Sequence, residues 1–310
     1  MVEGSSTVRE RYRTGMIEEG PPMHATVTVA GTSADPGQQT PPAAVRSAAM
    51  DLSLRFVELV NGPTPNVDLT EGWAVLSAHA HPDLDVQALR DEVRALGDRC
   101  PEPTLDGVRR LLFDDLGFCG NHDDYYAPSN SLLDQVLRRR LGLPIALSAL
   151  MMEVGRAAAV PLDGVAMPGH FLVRDRVLGD VFVDPFSGGA TMDSRGCEAV
   201  FRKVAGPKAP FDPRYLDPVP AATILSRMAA NLVQAYRRCD DRGGLRWAAR
   251  LRSRCPGVSP QELVQLAQAL HRCGAFDEAA AVLDEAAPLL QDDERDRWRL
   301  EAGRYRARLN

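Results

Sequence analysis

A histidine and an aspartate stand near the two ends of the segment GHFLVRDRVLGDVFVDPF, residues 169 to 186, and these two residue types cooperate in acid–base chemistry. Apolar triplets on both sides of a charged link that contains Gly179 predict the two strands of a hairpin. A register centred on Val177 places His170 opposite Asp184 on one face, with Cβ atoms roughly 5 Å apart. The carboxylate would then fix the imidazole tautomer and make the other ring nitrogen more basic, as an activated nucleophile requires. The alternative interpretation is a structural His–Asp hydrogen bond on a half-buried sheet.

A nucleophile is the third group that this pair would need, and three side chains are candidates. Cys119 precedes the pair in the chain and lies in a Gly-flanked loop beside the DYY run. Ser148 and Ser131 carry hydroxyls that His170 could activate only from within about 3.2 Å. The alternatives are an ordinary free thiol for Cys119 and core or helix-capping hydroxyls for the serines. His170 and Asp184 are therefore the candidate catalytic dyad, with Cys119 as a candidate nucleophile.

Polar and aromatic side chains that precede the hairpin form a candidate binding cleft around His170. They are Asn121, Asp124, Tyr125, Tyr126, Asn130, Pro144, Ser148 and Glu153. Several also have a structural interpretation, with Asn130 as a helix cap, Glu153 as the partner of Arg156 three residues later, and the tyrosines as packed rings. As a group near one histidine, they predict a pocket for a peptide or a small ligand.

The run HAH, with His79 and His81, raises the question of a metal site. Residues two apart on a helix point to different sides, and no set of Cys or carboxylate residues completes the ligands. We therefore predict no metal and no cofactor.

Helices must position most of these residues. From about residue 43 to 118, apolar residues at three- and four-residue spacing predict helices, one of them with Thr104 as its N-cap. In the central block a Gly-Leu-Pro step separates two more helices, and Pro144 suits the first turn of the second because its missing N–H would have no partner there. The apolar run IALSALMMEV makes this helix central and buried. Helices followed by a small antiparallel sheet predict an α+β domain over residues 43–203.

Proline and glycine divide the rest of the chain. Residues 204–220 form a Pro-rich connector, and residues 221–310 contain two units of helix, Gly-bearing turn and helix. The second unit has tetratricopeptide-like spacings at Leu266, Gly274, Phe276, Ala279, Leu283 and Ala286. The first unit follows this pattern weakly, and an ordinary helical hairpin explains it equally well. Residues 1–42, rich in Gly, Ser, Thr, Pro and Gln, predict a disordered segment in which Met16 or Met23 is an alternative start.

Composition and charge exclude several classes of partner. The 310 residues carry a net charge of -6 spread along the chain, which favours neither nucleic acid nor an anionic membrane. The sequence contains no apolar segment typical of export or of membrane spanning. Its six cysteines show no C-x-x-C spacing, so we expect reduced thiols in the cytoplasm. The expected partner is a protein or peptide, bound through the cleft or the C-terminal helices.

Long motifs in the central block resemble one family. They are GN-x-x-DYY, NSLL, GLPIALS, MEVGR and PGHFLVR. Over roughly residues 45 to 290 the chain is similar to the SirB-type transglutaminase-like family, whose members join a transglutaminase-like core to C-terminal tetratricopeptide-like helices. The resemblance implies a papain-like α+β core with a small antiparallel sheet, flanked by N-terminal helices and a C-terminal helical region. Ala127 and Ser129 stand where the family usually has Asp and Arg, so charges that line the cleft in relatives would be absent here.

The wider superfamily resembles papain-like enzymes in using Cys, His and Asp in that chain order, with Cys at the start of a buried helix whose N-terminus stabilises a thiolate. His170 and Asp184 match the second and third members. The G-L-P step, and the A-V-P step about fifteen residues further on, both put the nucleophile position at Pro144, which has no nucleophile to offer.

The resemblance therefore implies a non-catalytic or divergent member, a pseudoenzyme that binds a ligand or a protein. The alternative is an amide- or ester-cleaving hydrolase that uses the His170–Asp184 dyad on a serine, on Cys119 or on water. A third interpretation is a scaffold in which the His–Asp contact only stiffens the sheet.

Overall fold

The computed structural model describes residues 43–62 and 67–308, and only the backbone of residues 43–50. The predicted disordered segment, 1–42, lies outside the described residues. Within them, helices and a small sheet form the α+β architecture that the sequence predicts.

Four helices precede the central block. They are α1 (Ala43–Asn61), α2 (Leu69–Ala80), α3 (Val86–Asp98) and α4 (Leu105–Arg109), which continues into a π-helical segment, Arg110–Asp115. Asp68, Asp85 and Thr104 cap α2, α3 and α4, and each side chain accepts a backbone N–H of the first turn. The predicted N-cap at Thr104 is therefore confirmed.

The central block is built around one buried helix. Its elements are β1 (Cys119–Gly120), a short 3₁₀ turn (Pro128–Asn130), α5 (Leu133–Arg139), β2 (Leu141–Gly142) and α6 (Pro144–Ala157). The two short strands pair in parallel, Cys119 with Leu141 and Gly120 with Gly142. Pro144 occupies the first turn of α6, and nearly every following residue of the helix is buried, as the apolar run predicts.

A four-stranded antiparallel meander follows α6. Its strands are β3 (Leu162–Val165), β4 (Leu172–Asp175), β5 (Phe182–Asp184) and β6 (Ala190–Met192), paired in chain order. Both faces of the sheet are covered, because alternate residues belong to different apolar clusters. Val173 and Val183 join the main core with α6, whereas Leu172 and Phe182 pack with α7 (Ser194–Ala205) and a 3₁₀ turn, Pro213–Leu216.

Five further helices complete the described chain. They are α8 (Ala221–Arg238), α9 (Arg242–Ser253), α10 (Pro260–Arg272), α11 (Phe276–Ala286) and α12 (Asp292–Ala307), the last preceded by a 3₁₀ turn, Ala287–Leu289. Each packs on its neighbour in the chain, and α8 also packs on α1, α2 and α6. One apolar core consequently runs from Phe56 to Tyr305. Among the residues that the structure describes, no helix has the length and apolar character needed to span a bilayer.

Candidate functional site

A tight turn aims His170. Its backbone N–H donates to the carbonyl oxygen of Met167 at 2.9 Å, and Gly169 between them has φ +81°. Proline followed by a positive-φ glycine at the two central positions is the pattern of a type II turn. A Cβ on Gly169 would also lie 2.8 Å from Cγ1 of Val204 in α7. The P-G-H motif therefore fixes where β4 begins and where the imidazole starts.

Asp184 ends β5 in a buried, heavily bonded position. Its Oδ1 accepts the backbone N–H groups of Phe186 and Ser187, and its Oδ2 accepts the Ser187 hydroxyl at 2.9 Å. Burial alone would raise the pKa of Asp184, but the contact with His170 and the bonds from Ser187 outweigh it, so the pKa lies below its usual value. The carboxylate is therefore ionised at neutral pH.

The two side chains meet, although the predicted register is wrong. Val173 pairs with Val183 and Arg174 with Phe182, so the hairpin centres on Leu178 and not on Val177. This register aligns Asp184 with Leu172, two residues beyond His170. A two-residue offset keeps side chains on the same face as diagonal neighbours. His170 Nδ1 lies 3.6 Å from Asp184 Oδ2, and the imidazole remains 24% exposed.

The second turn of α6 contacts the backbone next to His170, and the start of this helix supplies no nucleophile. Ser148, one turn after Pro144 and fully buried, donates its hydroxyl to the carbonyl oxygen of Phe171 at 3.0 Å. Phe171 follows His170 directly, so this bond ties the start of the helix to the backbone of the dyad. The hydroxyl of Ser148 is occupied in this way. The Ser131 hydroxyl is buried without a hydrogen-bond partner among the described residues, while its backbone carbonyl accepts the indole N–H of Trp73.

Two cysteines differ in how far solvent can reach them. Cys119 is exposed and lies in β1 rather than in the loop that the sequence predicts, because it pairs with Leu141. The next residue, Gly120, is packed so closely that a Cβ there would approach the Phe186 ring to 2.5 Å. Cys197 is fully buried, and its burial raises the pKa of the thiol to about 12. Cys197 therefore stays a thiol and not a thiolate.

The loop before α5 is held together by two buried amides. Asn130 donates to the carbonyl oxygens of Asp124 and Tyr125, and its own Oδ1 accepts from the amide of Asn121 at 3.0 Å. The interpretation of Asn130 as a helix cap is wrong, because the Ser77 hydroxyl accepts the first free N–H of α5 instead. The Asn121 and Asn130 amides shape the loop from within.

Aromatic rings and two arginines lie around the segments that carry His170 and Asp184, which we call the dyad segments. The Tyr125 ring contacts the rings of Phe186 and Tyr126, at centroid distances of 5.7 and 5.2 Å. From α8, Arg238 lies 3.8 Å from the centre of the Tyr126 ring, and Arg227 lies 5.4 Å from that of Phe171. Arg227 was not among the predicted site residues. The signal for it was a charge inside the mostly apolar run ILSRMAANL, on a helix that must pack.

Glu153, which was expected in the same cleft, lines a different cavity. This cavity, of about 690 Å³, lies at the other end of α6, and Met152, Glu153, Arg156, Asp163 and Arg176 are among its lining residues. Glu153 pairs with Arg156 at 2.9 Å and accepts the Thr70 hydroxyl, and Asp163 pairs with Arg176 at 2.6 Å. The i, i+3 pair predicted for Glu153 and Arg156 is thus confirmed, and the charges of this cavity satisfy one another.

The two histidines of the HAH run have separate packing roles. His79 stacks on the Trp247 ring at a centroid distance of 5.3 Å, and His81 lies 2.9 Å from the carboxylate of Asp134. In residues 43–62 and 67–308, no group of three or more His, Cys, Asp or Glu residues is arranged to hold a metal ion.

Known proteins share the central part of this chain. Residues 80–230 match the family described as Transglutaminase-like superfamily. A UPF0162 protein of Xylella fastidiosa (strain Temecula1) is 38% identical over 228 residues, which cover 66% of this chain and 79% of the relative. A UPF0162 protein of Vibrio cholerae is 27% identical over 183 residues, 56% of this chain and 67% of that protein.

A eukaryotic relative shares a shorter stretch. F-box only protein 21 of Mus musculus is 39% identical over 103 residues, which are 30% of this chain and 16% of the mouse protein. No solved structure matches the chain.

Proposed function

We propose a function for this chain, which belongs to the UPF0162 family and contains a domain of the Transglutaminase-like superfamily. The cleft around His170 and Asp184 binds a peptide or small ligand without cysteine chemistry. On this proposal the protein is a non-catalytic or divergent member of the superfamily. The ligand lies where a substrate lies in a papain-like fold, at the start of the buried helix.

The observation that carries the proposal is the residue at the first position of α6. A helix N-terminus stabilises a thiolate, but Pro144 has no side-chain heteroatom to place there. The hydroxyl one turn later, on Ser148, donates to a backbone carbonyl. A serine oxygen that attacks a substrate must instead give its proton to a base. The helix therefore supports binding better than covalent catalysis.

A dyad without a nucleophile still has a use in recognition. The ionised Asp184 faces Nδ1 at 3.6 Å and favours an N–H on that nitrogen, and the partly exposed ring can offer Nε2 to a ligand. An imidazole held in one tautomer presents either a donor or an acceptor of fixed direction, which suits an amide group.

The finer family assignment belongs to the same proposal. We assign the chain to the SirB-type branch, with a core over 43–203, a connector over 204–220 and tetratricopeptide-like helices over 221–310 that support contacts with a partner protein. The sequential packing of α8 to α12 is typical of helical repeats. The cysteine pattern favours the cytoplasm.

A ligand screen tests the proposal. Thermal shift with short peptides and small amides identifies binders, and calorimetric titration gives their dissociation constants. We expect His170→Ala to weaken binding at least tenfold without unfolding the protein. His81→Ala, which removes an imidazole that pairs with Asp134 at the surface, is the matched control and should change affinity less than twofold. Equal affinity for the wild type and His170→Ala would refute the proposal.

A hydrolase is the second candidate, because an ionised carboxylate contacts a partly exposed imidazole. In that case His170 would act as general base on water or on Cys119. Hydrolysis of p-nitrophenyl acetate and of a peptide amide, each compared with His170→Ala and Cys119→Ser, separates the two functions. Turnover that is lost in His170→Ala at unchanged stability would favour the enzyme over the binding protein.

A further inference from the structure

Three half-buried side-chain donors, two beside the dyad segments and one a helical turn further along α8, have no hydrogen-bond acceptor within the described part of the chain. They are the phenol of Tyr125, the guanidinium of Arg227 and the amide of Asn231, for none of which the structure contains a hydrogen bond or an ion pair. All three are half-buried. Half-buried polar groups in folded proteins are normally bonded to protein or water, so donors without a protein partner are free to exchange water for a ligand.

Arg227 is the most unusual of the three. Its guanidinium lies against the Phe171 ring and faces no carboxylate among residues 43–62 and 67–308. Burial lowers the pKa of Arg227, and only the electrostatic interaction with Tyr125 opposes this effect. A partly desolvated charge without an ion-pair partner costs stability, and such groups cluster at functional sites.

Asn231 and Tyr125 lie where they can act with Arg227. Asn231 is four residues further along α8, so both side chains leave the same side of the helix. The 3₁₀ turn that follows Tyr125 packs against α8. The Tyr125 ring also contacts Phe186, whose backbone N–H donates to Asp184. Phe171 and Phe186 thus connect this donor group to both members of the dyad.

We propose that Arg227, Asn231 and Tyr125 bind a carboxylate of the ligand, either an acidic side chain or the C-terminal carboxylate of a peptide. This inference rests on the proposed function of the cleft and names its ligand class. A planar guanidinium offers two parallel N–H donors that match a carboxylate. One cation with two neutral donors balances a single negative charge, whereas phosphate sites usually gather several cations.

The other charged groups near α6 behave differently. In the cavity at the other end of α6, Glu153 pairs with Arg156 and Asp163 pairs with Arg176, so the protein satisfies those charges itself. Arg227 shares the neighbourhood of α6 but not this compensation. The contrast locates the anion site at the dyad end of the helix.

Four probes test the inference. They are Ac-Ala-Ala-Glu-Ala-NH₂, its Gln counterpart, Ac-Ala-Ala-Ala-Ala with a free C-terminus, and inorganic phosphate. Calorimetric titration at low salt gives each dissociation constant for the wild type, for Arg227→Gln and for Arg246→Gln. Arg246 pairs with Glu278 in the C-terminal helices and serves as the charge-matched control.

We expect one carboxylate peptide to bind at least tenfold more tightly than its neutral counterpart and than phosphate. The Glu peptide would identify an acidic side chain, and the free C-terminus a terminal carboxylate. Arg227→Gln should remove this preference, Arg246→Gln should keep it, and Asn231→Ala should reduce it about threefold. The thermal midpoint of Arg227→Gln should stay close to that of the wild type, because the variant loses only the contact with the Phe171 ring and no hydrogen bond or ion pair among the described residues.

Three outcomes would overturn the inference. They are equal binding of the Glu and Gln peptides with no gain from the free C-terminus, a carboxylate preference that survives Arg227→Gln, and tighter binding of phosphate. The proposed function would survive any of these if the Gln peptide bound in a way that depended on His170. Failure of every peptide, with or without a carboxylate, would count against both.

Discussion

Pro144 decides what the dyad can do. An ionised Asp184 contacts a partly exposed His170, and α6, which bonds the backbone next to His170 through Ser148, begins with a residue that has neither a nucleophile nor an N–H. On the proposed function, the residue type at this one position distinguishes a binding protein from an acyl-transfer enzyme. This distinction can be tested by placing a cysteine sulfur at position 144.

Pro144→Cys should create a reactive thiolate. A thiol at the first position of α6 gains the helix dipole and the neighbouring imidazole, both of which lower its pKa. We expect the introduced thiol to react with iodoacetamide at pH 7 at least tenfold faster than Cys119 of the wild type, as measured by peptide mass spectrometry. In the double variant with His170→Ala the acceleration should largely disappear. Equal rates at the two positions would show that the start of α6 does not face the dyad.

Gly169→Ala should destabilise the protein and disturb His170. The residue has φ +81°, where a side chain costs about 1–2 kcal/mol, and its new Cβ would press on Val204. We expect urea denaturation to show a loss of that size or slightly more. Gly179→Ala is the control, because Gly179 has φ +74° but nothing within 4 Å of an added Cβ. In the Pro144→Cys background, only Gly169→Ala should slow alkylation, and equal slowing by both changes would contradict the role of the turn.

At the scale of elements, the start of α6 was predictable because local rules agree there. Proline at the first turn, an apolar run and a preceding Gly-Leu step all favour the same helix. The Thr104 cap was predictable for the same reason. These signals are local, so the sequence displays them directly.

The hairpin register was not predictable, because a side chain sets it. The Asp175 carboxylate accepts the N–H groups of Val177 and Leu178, and the Asp175 N–H donates to the Val181 carbonyl. These bonds enclose five residues between Asp175 and Val181 and move the centre of the turn by one residue. The role of Asn130 was not predictable for a similar reason, since its amide donates to carbonyls of the preceding loop and does not cap a helix. Arg227 lies near the dyad segments because α8 packs on α6, and the sequence does not display that tertiary contact.

His79 links two helical elements and should make their contact pH-dependent. It lies in α2 and stacks on Trp247 of α9; burial lowers its pKa from 6.5 to about 4, and Arg250 contributes to this shift in the same direction. The folded state therefore holds a neutral imidazole, whereas the unfolded chain takes up a proton below pH 6.5. The resulting stability is fully present above pH 6.5 and declines as the pH falls towards 4, by about 3 kcal/mol in total.

The His79→Phe variant isolates this contribution, because a phenyl ring keeps the stacking and cannot titrate. Urea denaturation of both proteins between pH 4 and 8 gives the difference in free energy of unfolding. We expect the wild type to lose stability relative to the variant below pH 6.5 and to run parallel to it above pH 7. A constant difference over the whole range would show that the pKa of His79 is the same in the folded and unfolded protein.

At the scale of the whole molecule, α8 packs on both parts of the chain that the sequence predicts as separate regions. The boundary expected at residue 221 is the first residue of this helix, yet α8 packs on α1, α2 and α6 on one side and on α9 on the other. The connector before it is also attached, since the Val219 N–H donates to the Gly164 carbonyl of β3. The residue that we assign to the ligand carboxylate, Arg227, belongs to this same helix. The proposed cleft would therefore depend on both parts of the chain.

A continuous core predicts a single unfolding transition. Leu225 of α8 is fully buried, and it approaches α2 so closely that a Cβ on Gly72 would lie 2.4 Å from its Cδ1. We expect scanning calorimetry of the full chain to give one peak, with calorimetric and van't Hoff enthalpies equal within error. Leu225→Ala should lower the stability of the whole molecule by about 2–5 kcal/mol and shift that one peak to lower temperature. Thr223→Ala, at an exposed position of the same helix, should leave the peak in place. Two peaks, of which Leu225→Ala moved only one, would mean that the C-terminal helices fold on their own and that the cleft borrows Arg227 from an independent domain.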